Sequence, residues 1–181
     1  MAVAVRIARA RTGRDRVALC GYHGWHDWYL AANLGSEKLG DHLLPGLDPA
    51  GVPAGLSGHT LTFHYNRLDE LDALIAKHGD ELAAVVMEPT RHTDPEPGFL
   101  EGVRERCDRI GARLVFDEIS IGWRLCLGGA HLKFGVEPDL AVFAKALGNG
   151  FPISAIIGNR DTMEAAQASF ISSTFWTEGV G

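Results

Sequence analysis

Short apolar runs recur along this chain, and helical patterns separate several of them. Residues 16–20, 60–63, 82–87, 113–116, 139–143 and 153–157 read as strands. The run Leu82-Ala83-Ala84-Val85-Val86-Met87 is apolar throughout, as expected of a strand covered on both faces. Between these runs the apolar period changes to that of helices. Val3, Ile7, Ala8 and Ala10 share one face of a helix that starts at Met1, with Arg6, Arg9 and Arg11 on the other face, and Thr12-Gly13 ends it. Asn66 or Asp69 can cap a helix running through Lys77, with Leu68, Leu71, Leu74 and Ile75 on its buried side. Pro97-Gly98 precedes a helix over 99–109, and a last helix lies near 161–168. Glycines at 35, 40, 46, 51, 55 and 58 and prolines at 45, 49 and 53 predict one long irregular loop. Together these elements predict an α/β fold, a mostly parallel sheet with helices on both faces.

In an open α/β sheet, ligands bind beyond the carboxyl ends of the strands. Gly21-Tyr22-His23-Gly24 follows the first run, Glu88-Pro89 follows 82–87, and Asp117-Glu118-Ile119 follows 113–116. Ala144-Lys145 follows 139–143. An aromatic residue, carboxylates and a lysine therefore share one predicted rim.

Composition narrows what that rim can do. The 181 residues carry 17 Lys+Arg and 23 Asp+Glu, a net charge of −6, so no basic surplus exists to neutralise nucleic-acid phosphates. No run approaches the roughly 18 uncharged apolar residues of a membrane span. Arginines interrupt the apolar residues of 1–15, so no secretory signal is expected. The three cysteines, Cys20, Cys107 and Cys126, lack metal-ligand spacing and read as reduced thiols in or near the core of a cytoplasmic protein. Of the eight histidines, His23 and His26 lie near Asp27, but no compact second pair follows and no metal site is expected. Tyr22, Trp25, Trp28 and Tyr29 form an aromatic cluster suited to a pocket wall or a dimer contact. Gly148-Asn149-Gly150 runs into Pro152 and Ile153 where a dinucleotide-binding helix would begin, and no G-x-S-x-G elbow is present.

The rim matches a different chemistry. A lysine amine forms a Schiff base with an aldehyde cofactor. Pyridoxal phosphate needs such a lysine, an acid beside its pyridine nitrogen, packing on both ring faces and donors for its phosphate. A lysine must lose its proton to attack an aldehyde, and burial among Val142, Phe143, Ala144, Ala146 and Leu147 is expected to favour the neutral amine. Gly148 and Gly150 would allow close backbone approach beside it.

The strings Gly21-Tyr22-His23-Gly24, Glu88-Pro89 and the run from Gly111 to Ile119 carry a specific resemblance. Gly122-Trp123-Arg124, Pro138-Asp139-Leu140, the run from Ala144 to Pro152, and Ser173-Thr174-Phe175 continue it, and Lys145 lies 28 residues after Asp117. Through nearly its whole length the chain resembles the middle of a class III, fold type I pyridoxal-phosphate aminotransferase, nearest the glutamate-1-semialdehyde aminomutase-like branch. The resemblance implies that residues 1–181 are part of the cofactor-binding large domain, with the phosphate loop upstream and the C-terminal small domain downstream. It implies that Lys145 forms the Schiff base and shuttles a proton, and that Asp117 binds the pyridine nitrogen. Tyr22 and Ile119 would pack on opposite ring faces, with His23 in the same motif and Glu88 lining the pocket. Thr174 would reach the phosphate held by a neighbouring subunit, which implies a homodimer. The implied reaction moves an amino group between an amine or amino acid and a keto or aldehyde acceptor. An intramolecular aminomutase and a truncated, catalytically incompetent remnant are the alternatives.

Overall fold

The computed structural model describes residues 1–34 and 48–172. Within them the chain folds into a six-stranded sheet in the order β2-β1-β3-β4-β5-β6. The strands are β1 (Arg16–Cys20), β2 (Thr60–Thr62), β3 (Leu82–Met87), β4 (Arg113–Asp117), β5 (Leu140–Phe143) and β6 (Ala155–Gly158). Neighbours pair in parallel except β6, which runs antiparallel to β5. The helices are α1 (Ala2–Thr12), α2 (Asp27–Leu30), α3 (Leu68–His78), α4 (Phe99–Ile110), α5 (His131–Phe134) and α6 (Arg160–Gln167). No helix among the described residues is long and apolar enough to cross a membrane.

Side chains alternate across the sheet, as the two-residue period of a strand requires. Val17, Leu19, Ala84, Val86, Val115, Leu140 and Val142 form one core with Ala4, Val5, Ile7 and Ala8 of α1 and with Trp28 and Tyr29 of α2. Ala18, Cys20, Val85, Met87, Leu114 and Phe116 enter the other core, with Leu71 of α3 and Phe99, Leu100, Val103 and Cys107 of α4. Both faces are covered, and for that reason the interior positions of the central strands are apolar. Gly102 of α4 lets α3 approach closely, since a Cβ there would lie 2.6 Å from Leu68 Cδ1.

Several boundaries differ from the sequence pattern for local reasons. The last strand begins at Ala155 rather than 153, because the Ile153 N–H turns back to the Phe151 carbonyl after Pro152. Neither Asn66 nor Asp69 caps α3. Arg67 holds the cap position, Asn66 adopts a left-handed φ of 62° and accepts from the Glu96 N–H, and Asp69 pairs with Arg67. The described part of the long loop region contains a short 3-10 turn, Ala54–Leu56. Helices α2 and α5 have no counterpart in the sequence pattern, since four residues span barely one turn and show no apolar period.

Candidate active site

The strand order decides where a site can form. From β1 the chain moves outward to β2, then returns to the far side of β1 as β3 and continues through β4 and β5. The direction of winding reverses between β1 and β3, and a crevice opens beyond the carboxyl ends of strands at such a point. The register aligns those ends: Cys20 pairs with Met87, Met87 with Phe116, Phe116 with Ala141 and Asp117 with Val142. The residues that follow, Gly21 to His23, Glu88, Glu118 and Lys145, therefore lie along one edge of the sheet.

Asp117 is buried, at 4% exposure, and both of its oxygens are engaged. Oδ1 accepts from the Ile119 N–H at 3.1 Å, and Oδ2 lies 2.8 Å from His23 Nδ1. The other imidazole nitrogen, His23 Nε2, lies 3.0 Å from the Cys20 carbonyl, which can only accept, so Nε2 carries a proton and donates. His23 is itself enclosed by aromatic rings, with Trp28 stacked at 6.5 Å and Tyr29 edge-on at 6.1 Å. Of the predicted aromatic cluster, Trp28 and Tyr29 enclose the ring that holds Asp117 and Tyr29 meets Tyr22, whereas Trp25 is exposed and stacks on His26 instead.

Tyr22 and Ile119 are half-buried, and both rest against the core on the α1 side of the sheet. Tyr29 meets the Tyr22 ring edge-on at 5.7 Å, and the Arg91 guanidinium lies 5.7 Å from its centroid. Arg91 Nη1 also lies 3.2 Å from Glu88 Oε2. Glu88 is 6% exposed, and burial raises its carboxyl above the ordinary range despite the opposing pull of Arg91 and His23. A Cβ on Gly21, whose φ is +102°, would sit 3.5 Å from the same carboxylate.

Lys145 corrects one expectation. Its side chain is exposed rather than buried among its apolar neighbours. The β5 strand ends at Phe143, and Lys145 opens a 3-10 turn with a left-handed φ of 44°, which carries its side chain out over the rim. There Nζ donates to Ser120 Oγ at 2.6 Å. Gly148 closes the turn where no larger residue fits, since a Cβ would lie 2.2 Å from the Phe151 carbonyl oxygen. Ser120 was not anticipated; a lone serine between two isoleucines carries no sequence signal. Nor was the depth of Glu118, which is fully buried and accepts from the Ala130 N–H, the His131 N–H and His131 Nδ1. Thr174 lies outside the described residues.

The rim thus presents a primary amine, a buried acid held by an imidazole, and a half-buried tyrosine ring. Residues 1–180 match the family described as Aminotransferase class-III. The chain belongs to the class-III aminotransferases. A 3-aminobutyryl-CoA aminotransferase from Cloacimonas acidaminovorans (strain Evry) is 38% identical over 99% of this chain, which spans 41% of that protein. Among solved structures, the PLP internal aldimine form of the FumI protein from Sphingopyxis sp. MTA144 superposes with a TM-score of 0.82 at 30% identity, covering 97% of this chain and 40% of that one. A glutamate-1-semialdehyde aminomutase from Pseudomonas aeruginosa PAO1, in complex with PMP, matches with a TM-score of 0.73 at 28% identity, over 92% of this chain and 36% of its own. This class-III chain therefore shares its fold with solved transaminases and with an aminomutase, and it spans about two-fifths of the length of these relatives.

Proposed function

We propose that the protein is a pyridoxal-phosphate-dependent aminotransferase, moving an amino group between an amine or amino acid and a keto or aldehyde acceptor. The observation that carries this reading is the rim itself. Lys145 follows β5, and Asp117 ends the neighbouring strand β4, three residues before the serine that binds the lysine amine. The donor set suits the cofactor: an amine for its aldehyde, an acid for its pyridine nitrogen and a ring, Tyr22, to stack on it. When bound, the cofactor supplies an electron sink that stabilises negative charge on the substrate carbon.

The chain's own groups have separable tasks in this reading. Asp117 holds the protonated pyridine nitrogen. His23 fixes the carboxylate's orientation, because its Nε2 is tied to the Cys20 carbonyl and its ring is wedged between aromatic side chains. Tyr22 and Ile119 pack against the cofactor ring. Glu88 lines the pocket and holds Arg91 at its mouth. Lys145 Nζ would hold the cofactor through its aldehyde and would move a proton at the substrate carbon. A homodimer, with Thr174 reaching the partner's cofactor phosphate, completes the site in this reading.

Intermolecular transfer is favoured over intramolecular rearrangement because the 38% identical relative is an aminotransferase. The aminomutase reading is kept by the structural likeness to an aminomutase. Absorbance tests the shared claim. Purified protein mixed with pyridoxal phosphate gains a visible band, and Lys145→Ala abolishes it while leaving the thermal midpoint within a few degrees. A wild-type protein that stays colourless at saturating cofactor contradicts the reading.

A further inference from the structure

We propose that Ser120 is a positioning residue for the Lys145 amine, its hydroxyl aiming that nitrogen and exchanging a proton with it; this rests on the assignment of Lys145 as the cofactor-bearing lysine. Nζ lies 2.6 Å from Ser120 Oγ, and among the described residues this is its one hydrogen-bonding partner. An exposed lysine otherwise samples many rotamers. Here the backbone beneath it is also unusual, with the left-handed φ of 44° that a side chain-bearing residue rarely adopts. The turn and the hydroxyl therefore act on the same amine from two directions.

Ser120 itself is held firmly. On one side, the Ile119 N–H donates to Asp117 Oδ1 at 3.1 Å. On the other, the Gly122 N–H donates to the Glu118 carbonyl at 2.8 Å, closing a tight turn around the serine. That turn is packed against β5, since a Cβ on Gly122 would lie 2.8 Å from both the Glu118 carbonyl oxygen and Phe143 Cδ1. The buried Glu118 side chain fixes the far end of the loop through the N–H groups of Ala130 and His131. The hydroxyl is thus tied through Ile119 to the carboxylate that is proposed to hold the pyridine nitrogen, so amine and acid are set relative to each other by one short turn.

A hydroxyl is both donor and acceptor. It accepts an N–H from the ammonium and donates its own proton to the neutral amine, so Nζ keeps a partner in either state. The proton that leaves Nζ can pass to Oγ as the hydroxyl proton passes to solvent, with no net change on the serine. Neither alanine nor a valine of threonine's shape can do this, whereas threonine can.

The test compares wild type, Ser120→Ala and Ser120→Thr as apoproteins mixed with pyridoxal phosphate. The growth rate of the visible band is followed across pH, and borohydride then fixes bound cofactor for peptide mapping. Ser120→Ala is expected to slow capture by about tenfold or more, as loss of orientation at a reacting group does. Ser120→Thr is expected to recover most of that rate, and all three proteins are expected to carry cofactor on Lys145 with unchanged melting temperatures. Capture by Ser120→Ala at the wild-type rate and pH profile overturns the proposal alone. So does an equal loss in both variants, which would mark a structural role. Cofactor fixed on another lysine in all three overturns the Lys145 assignment and this proposal with it.

Discussion

Lys145 holds a left-handed backbone conformation that costs a side chain-bearing residue about 1 kcal/mol or more and glycine little. Replacing it with glycine should therefore give a protein more stable than the alanine variant by about 1 kcal/mol, measured by urea unfolding, although both lose the cofactor band. An alanine variant of equal or greater stability would show that the turn is not strained at this position. The thiols offer a second check. Burial pushes the Cys20 and Cys107 thiols up to about 12, whereas Cys126 is only half-buried and donates to the Gly129 carbonyl. A thiol reagent at neutral pH should modify Cys126 first and the other two only on unfolding. At this scale the sequence revealed the residues that end apolar strands, because a charged group after such a run stands out. It did not reveal Ser120, which is small, polar and flanked by isoleucines, nor the side chain with which His23 pairs, 94 positions away.

Among the elements, the loop between β4 and α5 depends on Glu118. Its carboxylate satisfies two backbone donors and an imidazole nitrogen in a site with no solvent exposure. Glu118→Ala leaves those donors buried and unpaired and should cost about 2–4 kcal/mol. Hydrogen exchange at the Ala130 and His131 amides should quicken together with that loss. Unchanged exchange at both would mean that water replaces the carboxylate without penalty. The long elements were legible because their periods extend over many residues: α1, α3, α4 and the four central strands fall within about two residues of the pattern. The short helices α2 and α5 were not, since their positions are dictated by tertiary partners. His131 opens α5 because Glu118 receives its N–H, and α2 packs its Trp28 and Tyr29 into the core beside His23.

Across the whole molecule, Asp139 ties distant parts of the fold together. It accepts from the Leu114 N–H on β4, from Arg104 of α4, from Arg113 and from Asn159, the cap residue of α6. Burial works to raise its carboxyl, but the Leu114 N–H, Arg104 and Asn159 outweigh that and leave it below the ordinary range. A carboxyl depressed on folding contributes stability that is present above its unfolded value of about 3.9 and is lost as pH falls through the lower folded value. Stability should therefore drop steeply below about pH 4, and Asp139→Asn should be less stable at pH 7 with a shallower acid limb. Parallel acid limbs for the two proteins would remove Asp139 from the account. The doubly covered parallel sheet was legible from its apolar strands. The strand order was not, because nothing in a run of apolar residues says that β2 flanks β1 on the outside while β3 takes the inner side.

One amine, Lys145, is proposed to carry the cofactor beside Asp117. Borohydride reduction of the protein with pyridoxal phosphate, followed by peptide mass mapping, tests this most directly. A pyridoxyl phosphate adduct is expected on Lys145, with Lys38, Lys77 and Lys133 unmodified at stoichiometric cofactor. An adduct on one of those three lysines, with Lys145 unmodified, would contradict that assignment.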